Sequence, residues 1–475
     1  MSLKSYPQAL TNPIFKLIGQ IADEKQLSCY VIGGFVRDFF LKRPTPNDID
    51  IVCIGSGIDL AKAVAEKLPG SPKVSIFKNF GTAMIKNASF ELEFVGARKE
   101  SYQRNSRKPA VEDGTLDDDQ KRRDFTINAL ALSLNFKNFG CLLDPFDGLI
   151  DLDKQIIRTP LNPEETYSDD PLRMIRAIRF ATQLNFKISD LSLAAIKQQS
   201  DRLKIISKER ITEELNKIMM SERPSIGLAL LHKTDLLRFI LPELIALEGV
   251  EEVEGQLHKD NFWHTLEVVD NISAHTDNLW LKWVALLHDI GKAPTKRFDK
   301  KIGWTFHGHE YVGSKMVYKL FKRLRLPLND KMKYVQKLVA MSSRPIVISE
   351  EFVTDAAVRR LVFDAGDDID DLMILCEADI TTKNTYKQKK YRGNFVKVRA
   401  KIQEVEERDR IRNFQPPISG ELIMNTFSIG PSKKIGLIKE FIKDAILEGK
   451  IPNQYEAAFE LMLEKGNELG LNVTQ

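Results

Sequence analysis

Apolar residues recur at helical spacing in the first stretch of the chain, residues 1 to about 30, where Ile14, Leu17, Ile18 and Ile21 share one face. The pattern then shortens to strands. Tyr30-Val31-Ile32 meets the glycine pair Gly33-Gly34, and a short amphipathic segment follows until Pro44 and Pro46 break it. A second apolar run spans Ile49 to Ile54. A helix is predicted over Gly57–Leu68, and strands over Val74–Phe77 and Thr82–Ile85. From Phe90 to Val95 the alternation is strict, with Phe90, Leu92 and Phe94 on one face and Glu91 and Glu93 on the other. Arg98 to Gln120 is polar, charged and without apolar period. It reads as a long, mobile loop, and loops of that length inside a domain are usually functional. Lys121 to Leu130 reads as a helix that opens basic and turns apolar. Asp144-Pro145-Phe146-Asp147-Gly148 is a turn sequence. After Pro163 the pattern is almost wholly helical. Lys383 to Arg392 reads as a basic linker, followed by a charged helix from Phe395 to Arg412 and final helices over Ile435–Leu447 and Tyr455–Leu469. Strands first and helices afterwards predict an α+β fold.

The chain has 475 residues, enough for about three domains. Its 43% hydrophobic content suits ordinary cores. A net charge of +4 is only mildly basic, so any contact with nucleic acid must come from local patches. The four cysteines are scattered without Cys-x-x-Cys spacing, which favours a reducing compartment over a structural zinc site. No signal-peptide pattern and no apolar run of membrane-spanning length is present, so a cytoplasmic protein without a membrane partner is expected.

Asp48 and Asp50 open the second apolar run and point the same way, while Ile49 and Ile51 point into a core. Like charges that close require something positive between them. A pair of magnesium ions fits, because two-metal sites stabilise the attacking and leaving oxygens of phosphoryl transfer. Gly33 and Gly34 would let backbone N–H groups approach a triphosphate at a helix N-terminus. Glu93 could supply a third carboxylate if its strand neighbours that of Asp48 and Asp50. Asp124 and Asn128 are four residues apart, on one face of the expected helix, and with Arg123 they suit sugar and phosphate contacts. Asp170, Arg173, Arg176 and Arg179 lie on a further helix. Cytosine and adenine both present an amino donor beside a ring-nitrogen acceptor, and uracil and guanine reverse that order. An aspartate that accepts and an arginine that donates can therefore read C and A and reject the others.

All seven histidines fall between His232 and His309. His264, the pair His288-Asp289 and the distant Asp379 are suitable ligands for a divalent ion, with histidine favouring a transition metal.

The motifs GGFVRD with DID, KRRDFTINAL and DDPLRMIRAIRF occur in this order and resemble the class II nucleotidyltransferases, the bacterial CCA-adding enzymes and poly(A) polymerases. The resemblance implies a polymerase-β-like head with a small mixed sheet (residues 1–150), a helical, base-reading neck and body (151–250), an HD domain (251–385) and a helical, tRNA-binding tail (386–475). It implies that Asp48 and Asp50 bind the catalytic magnesium ions, with Glu93 completing the set. It places the triphosphate at Gly33, Gly34 and Arg37, the ribose and phosphates at Arg123, Asp124 and Asn128, and the incoming base at Asp170 and Arg173. The motif's acidic pair is usually Glu-Asp; here it is Asp169-Asp170. His264, His288, Asp289 and Asp379 match the ligands of the HD superfamily of phosphohydrolases, and His309 matches an additional one. Many relatives carry a histidine before a later Arg-Pro, where this chain has Ser342-Ser343-Arg344-Pro345. The implied activity is addition of CCA to tRNA from CTP and ATP. A poly(A) polymerase, an A-adding enzyme, or an HD phosphohydrolase with a regulatory head remain alternatives.

Overall fold

The computed structural model describes residues 4–473, except 45, 79–80, 88, 102–109, 254–255, 258, 351–353, 410–411 and 413. The chain divides into two compact units, Met1–Pro242 and Glu243–Gln475.

The first unit is built on a mixed seven-stranded sheet. Its strands are β1 (Cys29–Ile32), β2 (Asp48–Cys53), β3 (Val74–Phe77), β4 (Thr82–Lys86) and β5 (Glu91–Gly96). A separate ribbon of β6 (Arg98–Ser101) and β7 (Ala110–Asp113) follows, and β8 (Ala131–Ser133) and β9 (Leu142–Leu143) complete the sheet. The order is β3-β4-β5-β2-β1-β8-β9, and only β2 and β5 pair in parallel. That pairing sets Asp48 beside Glu91 and Asp50 beside Glu93. Alternation then sorts the side chains. Ile49, Ile51, Leu92 and Phe94 are buried on one face, where helix α3 (Gly57–Lys67) packs on β4 and β5. Helix α1 (Pro13–Glu24), started by an Asn12 cap and Pro13, packs against α3. On the other face Val52 joins a cluster with Tyr30, Ile32, Ala97, Leu116 and Ala131, while Asp48 and Asp50 emerge at the start of the strand. Helix α2 (Gly34–Phe40) follows β1 directly.

Two expectations for this unit are corrected. Arg98–Gln120 is not a structureless loop. Its described ends pair as the β6–β7 ribbon, Arg98 opposite Asp113, and Thr115 and Asp118 cap helix α4 (Leu116–Lys121) through a reciprocal capping box. Residues 102–109 lie outside the described residues. Lys121–Leu130 is not a helix: α4 stops at Lys121, Phe125 is extended, and Thr126–Asn128 makes one 3-10 turn before β8. Four residues across such a turn still meet, so Asn128 donates to Asp124 at 3.1 Å.

Helices then dominate, as expected. They are α5 (Gly148–Lys154), α6 (Pro163–Asp169), α7 (Leu172–Leu184), α8 (Asp190–Gln198), α9 (Lys208–Met219) and α10 (Pro224–Lys233). Helix α7 packs against α9 and α10 through its buried Ile175 and Ile178 stripe. The turn at Asp144 to Gly148 holds, with Asp144 accepting from the N–H groups of Gly148 and Leu149 and Asp147 left-handed at φ 59°.

The second unit is helical around buried Phe262, Trp283 and Phe321, with a small ribbon of Arg297–Asp299 against Gly303–Thr305. The expected linker Lys383–Arg392 is instead the start of one long helix, Thr385–Asp409. Among the described residues no helix is long and apolar enough to cross a membrane.

Candidate functional site

Gly33 ends β1 with φ +85°, and a Cβ there would stand 3.0 Å from Asp50 Oδ2 and 3.1 Å from Arg123 Nη1. Only glycine supplies both that conformation and that space. Gly34 opens α2, and its backbone has no such restriction. Arg37, one turn on, is held by Asp38 at 2.9 Å and donates to Asn128 Oδ1 at 2.9 Å.

Burial raises the pKa of all three head carboxylates. Burial raises the pKa of Glu93, and Asp50 and Asp48 raise it further. Burial also raises Asp48, with Asp50 and Glu91 adding to it. Asp50 is raised by burial against the pull of Arg123, whose Nη1 lies 3.9 Å away. An oxygen-only donor set that disfavours its own charge is the set a hard divalent cation would neutralise, so these residues fit the metal that the motif implies. The trio is not drawn as tightly as the histidine cluster described below.

Asp50 and Glu93 form one wall of a cavity of about 340 Å³. Arg123, Asp124, Asp170, Arg173 and Arg176 also line it, and so do three arginines that the sequence did not single out: Arg98, Arg122 and Arg210. Asp48, Gly33, Gly34, Arg37, Asn128 and Arg179 are not among its lining residues. Fully buried Asp119 carries both Arg122 (2.8 Å) and Arg123 (3.2 Å). Asp170 accepts from the N–H of Leu172 at 3.1 Å and from Arg210 at 3.0 Å, and Arg173 donates to the carbonyl of Arg122 at 2.6 Å. Asp170 and Arg173 thus share the cavity without bonding each other through their side chains. Arg210 lies in the first turn of α9, in the stretch Ser207-Lys208-Glu209-Arg210-Ile211.

A buried network stands behind this cavity. Asp124 accepts from Arg176 at 2.8 Å, from Asn128 and from the N–H of Phe125. Burial alone would raise its pKa, but Arg176 and Asn128 outweigh burial and hold it at about 2. Buried Glu214 of α9 pairs with Arg179 at 2.8 Å and lies 3.9 Å from Arg176.

The second unit gathers the other expected set. Nitrogen atoms of His264 and His288 and an oxygen of Asp379 lie within 4.8 Å of one another. Asp289 stands 3.3 Å from His288 and 3.7 Å from His264, and His309 stands 3.6 Å from Asp289. Buried His288 Nε2 faces Asp379 Oδ1 at 3.6 Å, and the same oxygen lies 2.7 Å from His264 Nε2. The other ring nitrogen of His288 faces the carbonyl of Ala285 at 2.8 Å, and that of His309 faces the carbonyl of Phe306 at 3.0 Å. Each contact leaves Nε2 free to ligate, as metal-binding histidines require. Burial opposes charge on His288, but Asp289 and Asp379 push its pKa up to about 10. The same carboxylates would attract a divalent ion, so the cluster fits one. Ser343, near the position of the missing histidine, donates to Glu310. A cavity of about 490 Å³ adjoins the cluster at Asp379 and Lys259.

Comparison with known proteins agrees with this geometry. The poly A polymerase head domain matches residues 29–158, the probable RNA and SrmB-binding site of polymerase A matches 185–247, and the HD domain matches 261–384. A multifunctional CCA protein of Shewanella frigidimarina is 31% identical over 383 residues, covering 77% of this chain and 86% of the relative. An A-adding tRNA nucleotidyltransferase of Aquifex aeolicus is 32% identical over 69% of this chain, which spans 42% of that relative's length. The crystal structure of a tRNA nucleotidyltransferase complexed with a primer tRNA and an incoming ATP analog is 27% identical, with a TM-score of 0.55 over 81% of this chain and 98% of its own. The Thermotoga maritima CCA-adding enzyme, 22% identical with a TM-score of 0.63 over 98% of this chain and 100% of its own, shares the fold. A mixed sheet that presents carboxylates to an arginine-lined cavity, with these matches, defines a nucleotidyltransferase. The chain belongs to the family of tRNA nucleotidyltransferases and poly(A) polymerases, here carrying an HD domain.

Gly33→Ala is expected to lower nucleotide incorporation about a hundredfold, since displacing Asp50 or the turn by an ångström is enough; initial rates at saturating triphosphate measure it. Asp124 makes a second prediction. Its folded pKa of about 2 lies below the unfolded value of 3.8, so its stabilisation is complete above about pH 4 and is lost as pH falls through 2. The difference in unfolding free energy between wild type and Asp124→Asn should be about 2 kcal/mol near neutral pH and shrink across that window. Urea titrations at a series of pH values test this.

Proposed function

We propose that the chain is a tRNA nucleotidyltransferase that adds or repairs the 3′-terminal CCA of tRNA, using CTP and ATP without a nucleic-acid template. The observation that carries this reading is the cavity that has Asp50 and Glu93 on one wall and Asp170 and Arg173 on another. Asp48, Asp50 and Glu93 would hold Mg2+, which when bound lowers the pKa of the primer hydroxyl and neutralises the triphosphate. The Gly33-Gly34 turn and Arg37 would orient the triphosphate. Arg123 and Arg176, which line the cavity, would offer positive charge to the phosphates as the 3′-hydroxyl attacks the α-phosphate and pyrophosphate leaves. Asp170 would accept from the amino group of C or A, and Arg173 would donate to the adjacent ring nitrogen. Uracil or guanine would leave both groups mispaired. The name of the Shewanella relative supports CCA addition, and that of the Aquifex relative keeps A-only addition as the nearest alternative. The expected work division is a head at 1–150, a base-reading neck and body at 151–250, an HD domain at 251–385 and a tRNA-binding tail at 386–475. The four free cysteines suit work in the cytoplasm.

Two features of the second unit extend the reading. The His264, His288, Asp289 and Asp379 cluster, whose His264, His288 and Asp379 ligand atoms converge within 4.8 Å, supports a bound transition metal and a phosphohydrolase activity. The helix Thr385–Asp409 supports RNA contact. Ile380 to Gln403 contains no acidic residue, and Lys383, Lys387, Lys389, Lys390, Arg392 and Lys397 are all exposed. Tyr386, Lys389, Lys390, Gly393, Asn394 and Lys397 line a shallow groove on it, suited to phosphates with one aromatic platform.

The deciding experiment supplies tRNA lacking CCA. CTP alone should add two cytidines, and CTP with ATP should complete CCA; a long A tail without use of CTP would instead assign a poly(A) polymerase. Asp48→Ala should lower addition by about a hundredfold or more. His288→Ala should leave addition intact while removing metal from the protein, read by elemental analysis. Replacing Lys389, Lys390 and Lys397 by Gln should weaken tRNA binding and flatten the slope of log affinity against log salt by about 2 to 3.

A further inference from the structure

Three guanidinium groups surround one ring in the first unit. The guanidinium carbons of Arg37, Arg176 and Arg179 lie 5.1, 5.5 and 4.1 Å from the centroid of Phe180. Phe180 is buried near the C-terminal end of α7, and Arg37 comes from α2, far away in sequence. Phe125 meets the same ring nearly edge-on, with centroids 5.7 Å apart at 79°, and so fixes its tilt. Each arginine has its own carboxylate. Arg37 is held by Asp38, Arg176 by Asp124 and Arg179 by Glu214. The carboxylates settle the charge of the cluster, but they lie on different elements. All three cations lie over this one ring. Guanidinium is planar and weakly hydrated, so the face of an aromatic ring fixes its orientation as well as its distance.

These contacts join two tasks. Arg37 belongs to the turn read above as the triphosphate site. Arg176 lines the cavity one helical step from Arg173, on the helix read as choosing the base. We propose that Phe180 is a positioning residue that uses its aromatic face to hold Arg37 and Arg176 at a fixed separation, and thereby sets the affinity for the nucleoside triphosphate. The inference rests on the nucleotidyltransferase reading of those two arginines. It differs from ordinary core packing in one respect: it depends on the electron density of the ring and not only on its volume.

The test replaces Phe180 by phenylalanines carrying increasing numbers of fluorines, which weaken the ring face at nearly constant shape. Phe180→Leu and Phe180→Trp are made beside them. ATP and CTP affinity is measured by equilibrium titration, KM and kcat by addition to tRNA lacking CCA, and folding by thermal melts. The expected result is a graded rise in Kd and KM, reaching about five- to tenfold at full fluorination and in Phe180→Leu. Melting temperature should stay level across the fluorinated series, kcat should change less than twofold, and Phe180→Trp should recover most of the affinity. Flat affinity across the fluorinated series, with losses only where side-chain volume changes, would overturn the proposal and leave Phe180 as core packing. A wild-type chain that binds triphosphates but does not extend tRNA would overturn the functional reading alone, because the affinity series still decides the part played by Phe180. A wild-type chain that binds no triphosphate would overturn both.

Discussion

The buried pairing of Asp124 with Arg176 is the constraint on which the first unit depends. An ionised carboxylate in that position would be costly without a partner, and Arg176 and Asn128 supply partners from two different segments. The pair fastens the turn before β8 to helix α7. Through Asn128 it also reaches Arg37 on α2. The carboxylate end of the sheet and the base-facing helix are therefore two sides of one buried network. Removing either partner would strand a charge in the interior, so the geometry of the cavity and the stability of the unit cannot be varied separately.

The sheet was legible in the sequence because its strands are half-buried and alternate. Val74–Phe77 matches the observed strand, and Thr82–Ile85 and Phe90–Val95 fall within one residue of the observed ends. Local pattern could also place Asp48, Asp50 and Glu93 on one face of their strands. It could not give the parallel register that sets Glu93 beside Asp50, since pairing is a long-range property. Polar structure was harder to read. The β6–β7 ribbon has no apolar alternation on either face and so passed for a loop. The helix Thr385–Asp409 is basic nearly all round at its start, and its buried residues begin only at Phe395, so its first turns passed for a linker. At Lys121–Leu130 the opposite error arose: an apolar run after basic residues suggested a helix where the chain makes a turn into β8.

The site shows the same limit. Residues carried by motifs come together in space, Asp170 and Arg173 in the cavity and the histidines with Asp379. Arg98 was not legible in this way, because nothing near it in sequence marks its side chain as reaching the cavity, and Arg122 was passed over although it stands beside Arg123 in the KRRDFTINAL motif. Asp119 was invisible for a related reason. It lies in a run of three aspartates, Asp117 to Asp119, and only burial distinguishes the one that carries two arginines from its solvated neighbours.

The cavity that unites Asp50 with Arg210 also orders events in time. Its walls are drawn from β2, β5, the turn after α4, α7 and α9, so they span more than a third of the chain. During synthesis the sheet can begin to pair early, but Asp170 lacks its arginine until α9 has left the ribosome. Closure must wait for contacts between residues far apart, which form slowly. Until that helix docks, Asp170 lacks Arg210 and Arg179 lacks Glu214, so the cavity is completed only after the first strands have taken shape.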